Sequence, residues 1–139
     1  MNRFVNIVLI KGDHVLLQLR DDKPGLFQPA VWSVPGGRAE EEESLETAIK
    51  REFKEETGYE LKNPIFVKQV SYDFYNGENE VNVFAENYDG KQEIACYEGQ
   101  EMKFVPVKEL ENLPFFPMHA KIAKEVVEEK KSGTLNDKL

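Results

Sequence analysis

The segment Arg51-Glu52-Phe53-Lys54-Glu55-Glu56 sets three carboxylates within five residues of a stretch that also reads as a helix with a face to bury. With about 100° per residue and Leu45 at zero, Ile49 falls at about 40°, Phe53 at about 80° and Ala48 at about 300°, which defines an apolar stripe. Glu56 at about 20° and Glu52 at about 340° lie inside that stripe, and Glu55 at about 280° lies on its edge. Lys50, Lys54 and Arg51 fall on the other side, at about 140°, 180° and 240°. Carboxylates at i, i+3 and i+4 repel one another. Burying them unpaired costs several kcal/mol per ion, so something positive has to meet them, and Arg51 alone cannot serve all three. Clustered carboxylates are the donor set of a hard divalent cation such as Mg²⁺, with waters and substrate phosphates completing the shell. The bland alternative for the same residues is a charged helix whose acidic face is simply solvated.

The surrounding elements follow from pattern and punctuation. Phe4 to Ile10 and His14 to Arg20 read as adjacent strands around the turn Lys11-Gly12-Asp13. Asp21 to Ala30, with Pro24, Gly25 and Pro29, is a loop. Val31 to Val34 is a short strand stopped by Pro35-Gly36-Gly37. Ser44 as N-cap and Gly58 as C-terminal stop bound a helix over 45–57. Ile65 to Phe74 and Glu80 to Tyr88 are strands around the turn Asn76-Gly77, Met102 to Val107 is another, and Pro117 to Lys131 has helical spacing. The expected class is α/β, a mixed β-sheet flanked by helices, formed as one domain over 1–131 with a flexible tail at 132–139.

The chain has 139 residues and a formal charge of −8, which argues against a protein that coats nucleic acid. A small phosphorylated ligand is still compatible, because a bound cation reverses the local charge. No apolar run approaches the roughly 20 residues that span a bilayer, and the first strand lacks the features of a signal peptide. The single cysteine, Cys96, forms no intramolecular disulfide, and a reducing cytoplasmic location is the default expectation.

The stretch from Gly37 to Tyr59 resembles the signature of the Nudix hydrolase family, Gx5Ex7REUxEExGU with U apolar. Gly37, Glu43, Arg51, Glu52, Phe53, Glu55, Glu56, Gly58 and Tyr59 occupy every fixed position; the aromatic Phe53, where an aliphatic is more usual, is a mild departure. The resemblance implies an α/β/α sandwich and water-driven cleavage of a nucleoside diphosphate linked to another moiety, X. It implies Mg²⁺ (or Mn²⁺) held by Glu52, Glu55, Glu56 and the Gly36 carbonyl, while Glu43 pairs with Arg51 to hold the loop on the helix and so removes Arg51 as neutraliser of the cluster. Glu55 is one catalytic candidate. Tyr97-Glu98-Gly99-Gln100 resembles a later loop of MutT-type triphosphatases, which makes Glu98 a second candidate for base and metal ligand, with Glu93 and Glu101 as nearby rivals.

For X, Arg20 stands at a position similar to a phosphate- or base-contacting arginine of the MutT branch, or else is a strand-end cation pairing with Asp21 or Asp22. Trp32 could stack on a base or pack in the core, and Phe74 with Tyr75, or Phe115 with Phe116, could flank one. His119 lies where relatives place a base-reading residue; Met118-His119 in place of an Asn departs from the oxidised-purine pattern. No proline between Pro64 and Pro106 marks an ADP-ribose hydrolase, and Tyr75 only approaches the marker of dinucleoside polyphosphate hydrolases. The leading expectation is metal-dependent cleavage of a nucleoside triphosphate or related nucleotide, releasing a monophosphate. Nucleotide sugars, ADP-ribose or dinucleoside polyphosphates are alternative substrates, and a non-catalytic nucleotide sensor is a further reading, disfavoured by the intact glutamates. An isoprenoid diphosphate isomerase would need a reactive cysteine at the site, a pattern that Cys96 does not fit. Expected partners are a small nucleotide, with no nucleic acid and no membrane; a homodimer is compatible with family habit.

Overall fold

The computed structural model describes residues 2–26, 29–74, 77–133, 135 and 139, with nothing said of the side chains of Tyr72 and Phe74. The expected Phe74–Tyr75 aromatic pair, Asn76 of the expected turn, and half of the expected tail therefore lie outside the described residues. The chain runs β1 (Asn2–Lys11), β2 (His14–Leu19), β3 (Trp32–Ser33), β4 (Gly36–Arg38), α1 (Leu45–Thr57), β5 (Ile65–Phe74), β6 (Gly77–Asn87), β7 (Glu101–Pro106), a 3₁₀ helix (Val107–Asn112) and α2 (His119–Lys131). No described helix is long and apolar enough to cross a membrane.

The sheet is mixed. β1 and β6 run parallel from Asn2↔Asn79 to Ile10↔Asn87, and β6 pairs antiparallel with β5. β1 and β2 meet only at their hairpin end, through Ile10↔Val15 and Lys11↔His14, and then diverge. Because β6 occupies one edge of β1 throughout, and β7 one edge of β2, the segment 32–38 has to fill the gap between them. Trp32 and Ser33 pair with β2, and Gly36–Arg38 pair with β1 at Asn6, Val5 and Phe4.

Two elements are absent from the sequence reading, the short 3₁₀ helix after β7 and β4, and this gap explains the second. Pro35-Gly36-Gly37 is not only a turn, since the glycines enter the sheet as β4. A Cβ on Gly36 would lie 2.0 Å from the Val5 carbonyl oxygen, so a strand squeezed this close to β1 needs glycine. Smaller differences are the start of β6 at Gly77 and of α2 at His119.

Strand alternation divides the core between two faces. Val5, Ile7 and Leu9 of β1 pack with Ala48, Ile49 and Phe53 of α1. Val8 and Ile10 pack with Ile122, Ala123, Val126 and Val127 of α2, and Leu135 and Leu139 lie against the same cluster. One helix thus covers each side, giving the expected α/β/α sandwich. α1 begins at Ser44, whose Oγ accepts the Thr47 amide at 3.2 Å, and ends at Gly58 in the left-handed region at φ 76°.

Candidate active site

α1 delivers its carboxylates as the wheel requires. Glu56 is 2% exposed, Glu52 is partly buried, and Glu55 is exposed at the helix edge. Glu56 Oε1 is a fully buried acceptor with no hydrogen-bond partner. Burial, and then the neighbouring charges of Glu98 and Glu52, push the Glu56 carboxyl up to about 9, against a hydrogen bond from the Gly36 amide. Burial also raises Glu52, opposed by its hydrogen bond and charge contact with Arg51. These are the costs expected of carboxylates aimed inward, partly offset at Glu52 by Arg51 and not at Glu56.

The loop before α1 is tied to it through Arg51. Its Nε and Nη2 donate to the two Glu43 oxygens at 2.6 and 2.8 Å, and Nη2 also reaches the Arg38 carbonyl at 3.2 Å. The Arg51 guanidinium holds the Glu43 carboxyl down at about 2. Nη1 meanwhile lies 3.0 Å from Glu52 Oε1 and 3.4 Å from both Glu55 oxygens. Arg51 therefore remains a partial neutraliser of the cluster while it pairs with Glu43, because its five donors fan out over both sides. Glu56 is left out of that fan. Gly37 also has a steric reason: a Cβ there would lie 2.2 Å from Glu52 Oε2, so the carboxylate rests directly on the glycine.

Glu98 sits on the loop that leads into β7, and its charge acts on Glu56 and Glu52. That loop is sewn to the last turn of α1 by Tyr97 N–H to the Glu56 carbonyl and Ala95 N–H to the Thr57 carbonyl, both at 2.9 Å. It is sewn to β2 by Gln18 Nε2 to the Glu98 carbonyl and by the Gln100 amide to the Leu19 carbonyl, both at 2.8 Å. The orphan carbonyls of a helix end thus become the anchor of a second carboxylate. A cleft of about 480 Å³ opens beside it, lined by Gln18, Arg20, Asp21, Lys23, Leu26, Tyr97, Glu98 and Gly99. Tyr97 is 69% exposed there, and the Arg20 guanidinium lies 4.8 Å from the Phe116 ring centre.

The other candidates sit elsewhere. Trp32 is buried in the α2-side core with Lys103 Nζ 5.0 Å from its ring. His119 is buried, with Nδ1 accepting the Val34 amide at 2.9 Å; burial, and then the Arg20 charge, bring it down to about 3. Phe115 packs against that same core. Gly58 ends α1 with the Tyr97 ring against it, where a Cβ would lie 3.4 Å from that ring. Lys23, Leu26 and Gln18 join the cleft without being candidates in the sequence, and Tyr97 enters it from the recognisable loop Tyr97-Glu98-Gly99-Gln100. For Gln18 the signal was there, a polar residue inside the apolar run of β2.

The donor chemistry fits a hard divalent cation: oxygen ligands only, and a buried carboxylate oxygen without a partner. Among the described residues, no three His, Cys, Asp or Glu side chains are close enough together to hold an ion by themselves. Arg51 draws Glu52 and Glu55 toward itself and away from Glu56, and a magnesium ion takes much of its shell from waters and phosphates.

Comparison with known proteins gives the same direction. The NUDIX domain family matches residues 2–128. The chain is 30% identical over 123 residues to the uncharacterized Nudix hydrolase YvcI of Bacillus subtilis, covering 84% of this chain and 73% of that one. It is 40% identical over 50 residues to the nucleoside triphosphatase NudI of Escherichia coli, covering 36% of this chain and 34% of that one. The structure of the MutT protein from Bacillus halodurans aligns with a TM-score of 0.75 at 28% identity, over 91% of this chain and 82% of that one. A carboxylate-lined helix, its glycine loop and this match over nearly the whole sequence place the chain in the Nudix hydrolase family, pyrophosphohydrolases that act on nucleoside diphosphate derivatives and generally need a divalent metal.

Proposed function

We propose that the protein is a Mg²⁺-dependent hydrolase of a nucleoside triphosphate or closely related nucleotide, releasing a nucleoside monophosphate and, from a triphosphate, pyrophosphate. The observation that carries this reading is Glu56 Oε1, buried without a partner among Glu52, Glu98 and the Gly36 loop. Glu52, Glu55, Glu56 and the Gly36 carbonyl would hold the cation once Glu52 and Glu55 turn from Arg51 toward it, with Glu98 as a further oxygen donor. When bound, such an ion neutralises phosphoryl oxygens and lowers the pKa of water.

The chain's own residues supply the remaining functions. Glu98 or Glu55, the two carboxylates most open to solvent, accepts the proton of the attacking water. The water oxygen bonds to phosphorus as the bridging P–O bond breaks, and the bridging oxygen leaves with the departing phosphate. Arg20 and Lys23 face the polyphosphate from the cleft, and Tyr97 offers its exposed ring to the base or sugar. Gly37 and Arg51 fix the helix carboxylates against the loop.

The test is phosphate release from nucleoside triphosphates, nucleotide sugars, ADP-ribose and dinucleoside polyphosphates, each with Mg²⁺ and with EDTA. Metal-dependent turnover of triphosphates, lost in Glu55→Gln while folding survives, is the expected result. Unchanged turnover in both Glu55→Gln and Glu98→Gln would overturn the assignment of roles.

A further inference from the structure

Two buried polar side chains converge on one residue that the chemistry above does not use. Asn6, 7% exposed, interrupts the apolar run Phe4 to Ile10 of β1, and its Nδ2 donates to the Val34 carbonyl at 2.9 Å and to the Pro35 carbonyl at 3.4 Å. His119, 6% exposed, is the first residue of α2, and its Nδ1 accepts the Val34 amide at 2.9 Å. Both backbone groups of Val34 are therefore held by side chains from two different elements. Two residues later comes Gly36, which pairs with Asn6 in the sheet and directs its amide to Glu56. Getting His119 into this position has a conformational cost, because Met118 just before it adopts φ 71°, a left-handed conformation for a residue other than glycine. The polar groups are not needed to fill the core, since an apolar residue would do so without a desolvation cost.

We propose that Asn6 and His119 are positioning residues for the cation site, fixing Val34 and Pro35 so that Gly36 meets Glu56. They touch no ligand; they set the angle at which β4 presents its backbone to α1. Outer partners of this kind set metal affinity without entering the coordination shell. The inference rests on the reading of Glu56 and Gly36 as parts of a cation site.

Mn²⁺ binding to the full chain, stripped with EDTA and followed by electron paramagnetic resonance, tests it alongside thermal unfolding of the same samples. His119→Phe keeps ring volume but removes the acceptor, whereas His119→Asn keeps an acceptor at the Nδ1 position but leaves a cavity. The proposal expects about tenfold weaker Mn²⁺ binding in His119→Phe and in Asn6→Leu, with near-normal binding in His119→Asn even though its Tm falls. Affinity that merely tracks Tm across these variants would overturn it, as would wild-type affinity in both His119→Phe and Asn6→Leu. Glu56→Gln is the control that separates the two layers. If Glu56→Gln weakens binding and the positioning variants do not, only the positioning idea fails. If Glu56→Gln itself binds normally, the cation site is misplaced and both readings fall.

Discussion

Glu56→Gln is the change for which structure gives both a sign and a size. The Glu56 carboxyl has an ordinary value of 4.5 and is pushed up to about 9 in the folded chain, chiefly by burial. The folded state holds this proton more tightly than the unfolded state, so the associated stability is fully present below 4.5 and is lost as pH rises through about 9. At neutral pH the chain has come about 2.5 pH units into that window, and at roughly 1.4 kcal/mol per unit this is about 3 kcal/mol of destabilisation. A glutamine of the same shape carries no such term, and its amide has the Glu52 and Glu98 carboxylates nearby to accept from it. The metal-free Glu56→Gln protein is therefore expected to be more stable than wild type by about 2–3 kcal/mol near pH 7, a rise in Tm of roughly 10 °C. Near pH 5 the difference should shrink to under about 1 kcal/mol. Urea unfolding in the presence of chelator at the two pH values measures it. Added Mg²⁺ should then raise the midpoint of wild type and leave the variant nearly unmoved. A variant less stable than wild type near neutrality, or an equal difference at both pH values, would refute the reasoning.

Three further outcomes follow from named contacts. Gly37→Ala puts a Cβ 2.2 Å from Glu52 Oε2, so the carboxylate has to swing away; turnover is expected to fall about tenfold or more with little change in Tm, read by steady-state kinetics beside a melt. Arg51→Lys cannot reproduce the two-pronged contact with Glu43 and should cost about 2 kcal/mol in urea unfolding at neutral pH. Because Glu43 is held down at about 2, the stability that this contact supplies is present above 4.5 and lost as pH falls through about 2, so the Arg51→Lys deficit should narrow in acid. Tyr97→Ala removes an exposed ring from the cleft wall and is expected to raise KM several-fold with kcat nearly unchanged.

The helix and its cluster were legible in the sequence because one periodicity governs both. A 3.6-residue repeat that carries Leu45, Ile49 and Phe53 inward carries Glu52 and Glu56 with them, and the observed bounds of α1 are those set by Ser44 and Gly58. β4 was not legible, because Gly36-Gly37 reads locally as a turn and becomes a strand only through the gap where β1 and β2 diverge. The cleft was legible only in part. Tyr97 and Glu98 belong to a recognisable loop, but Lys23 and Leu26 join them through a stretch whose pattern says no more than loop. His119 shows the limit from the other side. Its place in the chain suggested a base-reading residue, whereas its ring lies inside the protein on the Val34 amide.

The last turn of α1 links the parts of the site. Glu56 turns its side chain toward the buried cluster while its backbone carbonyl receives the Tyr97 amide, and the Thr57 carbonyl receives Ala95. A helix must leave its final carbonyls without partners inside the helix, and here those groups tether the loop that carries Glu98 and the wall of the cleft. The charges that a cation would neutralise and the surface that a nucleotide would touch are therefore set by one short run of backbone. A shift in this turn large enough to relieve Glu56 would also move Glu98 and Tyr97. That coupling gives a physical reason for tolerating a buried carboxylate that lowers stability: removing the strain from the fold would remove the geometry from the site.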